Sequence, residues 1–425
     1  MVLLALERHG KPKKGPLMSI DLARNSAVFR RFFSDERKTL FEQVRDVSQR
    51  VLAPDTCKLH KGEVKLEEKL PELTQFRGIG IPPEFGGVEE FQGIVDMAIV
   101  HENLAYGSAS ASAFFDGNGL FATPIMLAGS HAQKERYLPR LARGEIVGCY
   151  GLTDLQCGSD VANMSTLKFV KEGMVYRLNG SKTFVTNAPI ADYAVVFARE
   201  QGNDDRYRNI TAFIVPVKTA AANGFVPEKP MDKLGWRASH TSIISMDDVI
   251  VSADDVVGKL GDGLLIADDG FLIAITTLAY GRLKIAVEAL GLMERALDET
   301  IKFVRERAGV GGALKDQAVV QYQIEEIAQL IQATRDTVYN TAFLAEELDG
   351  DGKVTSFAIE AAQAKSFAGR ALQRVVNIAL PLHGGYGFTL EYPISVIHSD
   401  APLYMIGEGA DNVLAISTGA SIVGK

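Results

Sequence analysis

The sequence predicts an α+β protein in which a β-rich middle region lies between two helical regions. Apolar residues recur at helical spacing from about residue 35 to 148, short β-rich segments follow to about residue 257, and long amphipathic segments return after Gly261. A chain of 425 residues is also too long for one hydrophobic core. We therefore predict four regions: a disordered extension at 1–30, an N-terminal helical domain at 31–148, a middle β-barrel or β-sandwich domain at 149–260, and a C-terminal four-helix bundle at 261–425.

The first helical region is read from its apolar spacing. Phe41, Val44, Val47 and Val51 recur every three or four residues, and Pro54 ends that segment. Further helices are predicted over 67–78, 94–106 and 132–143. The start of the chain has a short apolar patch followed by basic residues, which is the wrong order for a secretory signal.

The middle and C-terminal regions differ in the spacing of their apolar residues, which is strand-like in the first and helical in the second. Asn179-Gly180 lies between two alternating apolar runs and predicts a hairpin turn. Strands at this spacing favour a small barrel or sandwich over βαβ units. Beyond them we predict long helices over 271–307, 317–348 and 355–380, the last broken by Pro381, and a shorter final helix.

The composition and charge of the chain limit the kinds of partner that we expect it to bind. The formal net charge of −8 argues against nucleic acid, which favours a basic face, and no apolar run approaches the ~20 residues that span a bilayer. The three cysteines lack metal-ligand spacing, which indicates a reducing, cytoplasmic setting. The histidines form no HExxH pair, and Lys353 spoils the calcium-loop pattern that starts at Asp349. We expect no metal, nucleic acid or membrane partner.

Several polar side chains are candidates for a ligand site, and each has a plainer interpretation. Thr153 and Ser159 lie in a glycine-bearing segment that suits a phosphate or a polar ring edge, but it could equally be a connecting loop. Phe184 beside Thr186 suits a flat ring, or belongs to an ordinary strand. The loop around Trp236 suits an anion, or is a surface loop.

Two charged residues near glycines complete the candidates. Arg282 follows Gly281 in a predicted helix and by itself indicates a solvent-facing or salt-bridged arginine. Glu408 lies between Gly407 and Gly409, which by itself is typical of a solvated loop acid. No Walker phosphate loop or strand–GxGxxG–helix fingerprint accompanies them.

Taken in order, five sequence motifs and a final EG dipeptide resemble the acyl-CoA dehydrogenase superfamily of FAD-dependent flavoproteins. The motifs are YGLTDLQCGSD, KTFVTN, KLGWRASHT, ALG at 289–291, and HGGYGFTLEYP followed by EG at 408–409. The resemblance runs from about residue 35 to the C-terminus. It implies FAD as cofactor, an acyl thioester as substrate, an electron-transfer flavoprotein as acceptor, and a homo-oligomer, either a dimer or a tetramer.

The resemblance also implies roles for single residues. Glu408 matches the catalytic base. The positions matching cofactor-binding residues are Tyr150, Leu152, Thr153, Ser159, Phe184, Thr186, Arg307, Gln317, Gly384, Gly385, Ala410 and Asn412. Of these, Arg307, Gln317, Gly384 and Gly385 match positions that reach the FAD of a neighbouring subunit. Positions matching substrate contacts are Ser159, Arg282, Gly407 and Gly409.

The implied reaction removes a proton from Cα and a hydride from Cβ of the thioester. A base for such a proton needs a raised pKa, which we expect from burial beside Ile406 and the substrate. Isovaleryl-type enzymes place their base on the long helix, at the position of Gly281. Because a glycine stands there in this sequence, no second carboxylate competes with Glu408 as the base. Gly407, Ala410 and Asn412 depart from the family pattern, and Ala279 replaces an acid that usually supports the grip on the CoA nucleotide.

These departures leave alternatives open. The first keeps the dehydrogenase chemistry but takes its acyl group from an acyl carrier protein of secondary metabolism, which supplies pantetheine without an adenine nucleotide. The second is a flavin oxidase or monooxygenase of the same fold. The third is a scaffold that has lost its flavin.

Overall fold

The structure, a computed structural model, describes residues 15–205, 209–220, 224–258, 270–350 and 357–424. Its N-terminal region is helical, as predicted. The helices are α1 Ser19–Asn25, α2 Asp35–Val47, α3 Thr56–Lys61, α4 Leu70–Leu73, α5 Ile94–Gly107, α6 Ala109–Ala128 and α7 His131–Ala142. Ser34 caps α2 by accepting the Arg37 backbone N–H at 3.3 Å.

Two predictions for this region are wrong. The extension predicted at 1–30 contains α1, and the buried Ser19 donates through its backbone N–H and its hydroxyl to the Asp298 carboxylate, each at 2.7 Å. Residues 1–14 lie outside the described part of the chain. The helix predicted over 67–78 is a series of short turns around α4, because Pro71 lacks a backbone N–H and starts a helix more readily than it continues one.

The middle region forms one folded-over sheet. Its strands are β1 Gly148–Gly151, β2 Lys168–Glu172, β3 Val175–Thr186, β4 Tyr193–Glu200, β5 Ile210–Pro216, β6 Phe225–Pro227, β7 Thr241–Ser252 and β8 Val256–Val257, with a short helix α8 at Val217–Ala220. The strand order is β6-β7-β3-β2-β4-β5-β8, and β1 pairs parallel to β4. Antiparallel pairs join β3 to β7, with Thr186 opposite Thr241, and β4 to β5, with Tyr193 opposite Pro216.

The two faces of this sheet have different partners. Along β4, the side chains of Ala194, Val196 and Ala198 belong to a hydrophobic core formed within the sheet domain. The side chains of Val195 and Phe197 belong to a second core, which the sheet shares with α6 and α7. This alternation is the period-two pattern of a strand that is buried on both faces. The sheet is thereby docked onto the N-terminal helices.

The hairpin turn predicted at Asn179-Gly180 is wrong. Both residues lie inside β3, and the pairing of β3 with β7 shifts register between Leu178 and Gly180. Gly180 has a φ of 131°, and a Cβ there would lie 1.8 Å from the Thr166 carbonyl oxygen. The glycine therefore marks a bulge with close backbone approach, which shares its sequence signal with a turn.

The C-terminal region holds the long helices. They are α9 Gly270–Glu306, α10 Ala318–Gly350 and α11 Ala358–Leu382, followed by α12 Pro393–Asp400 and α13 Asp411–Ile422. A two-stranded hairpin, β9 Ala308–Gly309 and β10 Gly312–Ala313, joins α9 to the next helix. Pro381 lies within the last turn of α11. The loop predicted across 349–360 falls partly on residues 351–356, outside the described part.

One hydrophobic core runs through both helical regions, since α9 packs against α5 as well as α11. Buried charges cross it: Arg335 bonds Glu102 at 2.9 Å, and both Arg45 and Arg335 contact Glu294. The predicted α+β fold class is confirmed. Among the described residues, none of the helices has the length and apolar character of a membrane span, and no group of three His, Cys, Asp or Glu side chains could hold a metal ion.

Candidate active site

Glu408 lies in a strained turn between the 3₁₀ segment Ala401–Met405 and helix α13. Its φ is 54°, and this left-handed conformation costs a glutamate about 1–2 kcal/mol. Two cations hold the turn through its backbone. Arg282 Nε donates to the Glu408 carbonyl oxygen at 3.1 Å. Lys365 Nζ donates to the Gly409 carbonyl oxygen at 2.7 Å.

The Glu408 carboxyl group lies against helix α9 at Gly281. A Cβ at residue 281 would be 2.5 Å from Oε2 of Glu408. Within the described part of the chain, this Oε2 is buried and has no hydrogen-bond partner. The glycine therefore leaves the room that the carboxyl group occupies, and its oxygen remains free to take up a proton.

The surroundings raise the pKa of Glu408 to about 7. Burial is the largest cause and the negative charge of Asp116 adds to it, while opposing effects come from the cations Lys284, Arg282 and Lys365. The direction agrees with expectation, but one expected cause is wrong, because the Ile406 side chain is 63% exposed. The carboxyl group is thus poised between its acid and base forms near neutral pH.

Three predicted cofactor residues lie near the end of β1, with Tyr150 inside the strand and Leu152 and Thr153 just after it. Leu152 is buried, and the Thr183 backbone N–H donates to the Thr153 carbonyl oxygen at 2.9 Å, which ties this segment to β3. The Tyr150 ring packs edge-on against Phe197 at 5.2 Å. Its hydroxyl group is buried and has no partner among the residues described, and burial, followed by the Glu408 charge, raises its pKa well above the ordinary value.

Phe184 and Thr186 lie at an irregularity of β3. The register with β7 shifts between Lys182 and Val185, and Phe184 has a φ of 55° with 66% of its surface exposed. Two residues before Phe184, Lys182 is fully buried and pairs with Asp154, which is next to Thr153. A strained backbone that presents a large aromatic ring to the outside is typical of a ligand-contacting position.

These residues fit a flat ring with polar edges. The Thr183–Thr153 hydrogen bond places Thr153 beside Phe184, and Thr186 lies two residues further along the same strand. The Phe184 ring and the Thr186 hydroxyl group therefore lie on β3, which is hydrogen-bonded to the segment after β1, and Tyr150, whose hydroxyl group has no partner among the described residues, lies on β1 itself. This is the set of groups that a flavin ring requires.

A second group of predicted residues lies at the far end of α9. The Arg307 guanidinium is 4.7 Å from the centre of the Tyr386 ring, beside Gly384 and Gly385, and Gln317 Nε2 donates to the Val310 carbonyl oxygen at 3.2 Å. Gly384 and Gly385 are exposed. Arg307 lies 25 residues after Arg282, so the two residues are about 37 Å apart along the axis of α9 and its extension. One chain does not bring this group to Glu408.

The remaining predicted residues are less closely placed. Ser159 is exposed in the loop after β1, and Asn412 is exposed at the start of α13, which Ala410 precedes without a side-chain cap. Around Gly407, the described atoms nearest to an added Cβ belong to Leu403 at 3.4–3.7 Å. A larger side chain at residue 407 is thus compatible with the turn.

The Trp236 loop is structural. Its backbone N–H donates to Asp400 Oδ1 at 2.6 Å, and its ring packs edge-on against Tyr404 at 5.7 Å. Trp236 is 7% exposed. The loop therefore supports the segment that leads to Glu408 and does not form the anion site that its composition also suited.

Sequence reasoning missed a polar cluster on the other side of the Glu408 carboxyl group. Lys284 Nζ lies 2.7 Å from Asp116 Oδ1, and Glu288 accepts hydrogen bonds from Ser112 and, at 3.4 Å, from Tyr404. Gly281, Lys284 and Glu288 follow one face of α9 at three- and four-residue spacing. Two charged residues on an otherwise apolar helical face were the signal that would have revealed them.

Comparisons with known proteins agree over most of the chain. Models of the acyl-CoA dehydrogenase N-terminal, middle and C-terminal domains match residues 34–145, 149–249 and 268–422. A 3-(aryl)acrylate reductase from Clostridium sporogenes and a caffeyl-CoA reductase–Etf complex subunit from Acetobacterium woodii are each 32% identical, over 90% of this chain and 97% of their own length. Butyryl-CoA dehydrogenase from Megasphaera elsdenii is 30% identical with a TM-score of 0.84, over 92% of this chain and 99% of that one. The chain therefore belongs to the acyl-CoA dehydrogenase family, whose members are FAD-dependent oxidoreductases.

Proposed function

We propose that this chain dehydrogenates an acyl thioester between its α and β carbons, with Glu408 as the base. The observation that carries the proposal is the buried, unpartnered Oε2 of Glu408 within the described structure, held beside Gly281 with a pKa of about 7. A proton next to a thioester carbonyl is weakly acidic, so its base must be desolvated and must be partly ionised at working pH. Glu408 meets both conditions.

The proposed step conserves atoms and electrons. The α-proton moves to Oε2 of Glu408, two electrons and the β-hydrogen leave as hydride, and a Cα=Cβ double bond remains. FAD, when bound, supplies the hydride acceptor. The residues on this chain that would hold it are Tyr150, Leu152, Thr153, Ser159, Phe184, Thr186, Ala410 and Asn412.

The backbone of Glu408 has a further role in this proposal. Within the described part of the chain, its N–H donates no backbone hydrogen bond, and the positive φ is fixed by the contacts of Arg282 and Lys365. We assign this N–H to the thioester oxygen, where a hydrogen bond strengthens as negative charge develops. The strain at Glu408 then serves to orient both its carboxyl group and its amide.

The test is Glu408→Gln in the FAD-loaded protein, mixed anaerobically with acyl thioesters. We expect normal FAD content and loss of flavin bleaching by at least about 1,000-fold, because the amide cannot accept the proton. Bleaching at the wild-type rate would contradict the assignment of the base. Absence of bleaching in the wild-type protein with every thioester would contradict the proposed function.

The carrier of the acyl group is a separate question. We propose acyl-CoA first, since the relatives named above include proteins that act on CoA thioesters by name. Acyl carrier protein is the second candidate, because Ala279 is fully buried where an acid would support the CoA grip, and the Arg282 Nε is committed to the Glu408 carbonyl oxygen. Bleaching only by acyl carrier protein thioesters would reverse this order.

We propose an electron-transferring flavoprotein as the redox partner, in either direction of the reaction. One relative is named as a subunit of an Etf complex, and two are named as reductases. Stoichiometric electron transfer to such a flavoprotein supports the proposal, whereas oxygen consumption without any acceptor would favour the oxidase alternative. We also propose a homo-oligomer, because Arg307, Gln317, Gly384 and Gly385 lie too far from Glu408 to serve the same FAD within one chain.

A further inference from the structure

A cavity is lined by residues 76–81 and by side chains of α5, α6, α7 and α9. It encloses about 60 Å³ and its walls are largely apolar, formed among others by Ile79, Val100, Phe115, Ala122 and Met126. Lys284 lines it, and also a smaller cavity beside Tyr280. Two cationic side chains, Arg77 and Lys284, are part of this wall, which is an unusual surface for a plain hydrocarbon chain.

The ammonium group has one counter-ion in the described structure. Lys284 Nζ lies 2.7 Å from Asp116 Oδ1, and the two side chains are only 5% and 8% exposed. A Cβ at Gly119 would lie 2.7 Å from the same Nζ, so this glycine leaves the space that the ammonium group fills. Although the two atoms are this close, Asp116 Oδ1 is buried and, within the described part of the chain, receives no hydrogen bond of good geometry, so it can still accept one.

The position of the pair relates it to the reacting carbons. Lys284 is one turn of α9 beyond Gly281, where the Glu408 carboxyl group lies, which is about 4.5 Å along the helix. The charges of Asp116 and Lys284 both act on Glu408. An acyl chain that extends from Glu408 into the cavity therefore passes the pair within a few carbon–carbon bonds of Cβ.

The charges around the cavity decide what the pair can bind. Asp116 and Lys284 cancel one another. Burial raises the pKa of Glu288 well above the usual range and lowers the pKa of His101 to about 3. Beside the pair, a substrate carboxylate would face Asp116 and an ammonium group would face Lys284, while Arg77, the other cation of the cavity lining, donates to the Ile146 carbonyl oxygen at 3.3 Å.

We infer that the acyl group of the substrate carries a neutral hydrogen-bonding substituent, a hydroxyl group, that accepts from Lys284 and donates to Asp116. The inference rests on the proposed function and specifies its substrate class. Replacement of a buried ion pair by apolar residues of similar volume is often neutral or stabilising, so the pair can be removed as a unit to test its role. A hydroxyl group has both the acceptor and the donor that the pair requires, whereas a methyl group leaves both unsatisfied.

The experiment compares thioesters that differ by one group. The probes are 4-hydroxybutyryl with pentanoyl, and 5-hydroxypentanoyl with hexanoyl, each on CoA and on acyl carrier protein, in anaerobic bleaching and in dye-coupled turnover of the FAD-loaded protein. We expect kcat/KM to favour a hydroxylated chain over its methyl counterpart by about 100-fold, the effect of two hydrogen bonds.

The decisive variant is Asp116→Leu/Lys284→Met, which removes both charges and avoids a lone buried charge. We expect the preference to fall at least tenfold, with thermal denaturation and FAD content close to wild type. The matched control is Asp55→Asn/Lys69→Met, another lysine–aspartate pair that does not line the cavity, and it should keep the full preference.

The outcomes separate the two proposals. If pentanoyl and hexanoyl thioesters bleach the wild-type protein as fast as the hydroxylated ones, and the double variant behaves alike, the hydroxyl inference is overturned while the dehydrogenase function stands. If no thioester of either kind bleaches the protein, the proposed function itself is overturned. Where the double variant fails to fold, the same comparison on Lys284→Arg decides: the longer, forked side chain should reduce the preference without removing the charge.

Discussion

The Glu408 carboxyl group occupies the space that a side chain at Gly281 would need, since a Cβ at residue 281 would lie 2.5 Å from Oε2 of Glu408. The base and the helix that faces it are therefore complementary in shape. A side chain at residue 281 and a carboxyl group at residue 408 exclude one another, which makes the glycine as specific a feature as the glutamate.

Gly281→Ala should consequently displace the Glu408 carboxyl group by about 1 Å or more, and a shift of that size costs on the order of 100-fold in kcat. The measurement is kcat for flavin reduction together with FAD content, which we expect to be unchanged. The matched control is Gly419→Ala in α13, where no described atom lies within 4 Å of the added Cβ. Full activity of Gly281→Ala would show that the carboxyl group does not need this space.

The pH dependence of kcat/KM should report the ionisation of Glu408. Because its pKa is raised to about 7 and the base acts as carboxylate, the rate should rise with pH through about 7 and level off above it. Asp116→Asn removes a charge that raises this pKa and should move the rising limb to lower pH. Lys365→Gln removes an opposing cation and should move it to higher pH. Parallel shifts of both variants in one direction would contradict this electrostatic account.

The buried Lys182–Asp154 pair should matter for stability. Both side chains are fully buried, so Lys182→Met leaves an uncompensated carboxylate and should lower the free energy of unfolding by about 3–5 kcal/mol. Urea denaturation measures this. Lys218→Met is the control, because Lys218 is 74% exposed in its pair with Asp192, and its unfolding curve should overlay that of the wild type. Equal curves for both variants would remove the special role of the buried pair.

Phe184→Ala should separate cofactor binding from stability. The ring is 66% exposed, so its loss should change the free energy of unfolding of the FAD-free protein by less than about 0.5 kcal/mol. FAD affinity should fall about tenfold, because a stacking ring contributes on the order of 1.5 kcal/mol. Met174→Ala, at an apolar residue that is 74% exposed, is the control and should retain FAD fully. Unchanged FAD affinity of Phe184→Ala would contradict its assignment to the flavin.

Sequence patterns predicted the helices well where the amphipathic spacing continued over many residues. They failed where one residue type is compatible with two local structures. The amphipathic spacing predicted the three long helices α9, α10 and α11, with their ends correct to within a few residues. Gly180 misled because a bulge and a hairpin turn both require a glycine, and Pro71 interrupted a helix that hydropathy alone would continue. The ambiguity at Gly180 cannot be resolved from neighbours in sequence, since the deciding contacts are with β7 and with the Thr166 backbone.

By itself, the sequence determined the order of the helical, β and helical regions and the family resemblance, because both depend on local periodicity and on short motifs in a set order. It singled out Glu408, but as a glycine-flanked acid beside Ile406. Only the tertiary structure decided that the carboxyl group fills the space of Gly281, that burial and Asp116 raise its pKa while Ile406 is exposed, and that Lys284 lines the neighbouring cavity. Desolvation and charge depend on distances between residues that are hundreds of positions apart, and those distances exist only once α6, α9 and the C-terminal turn have packed together.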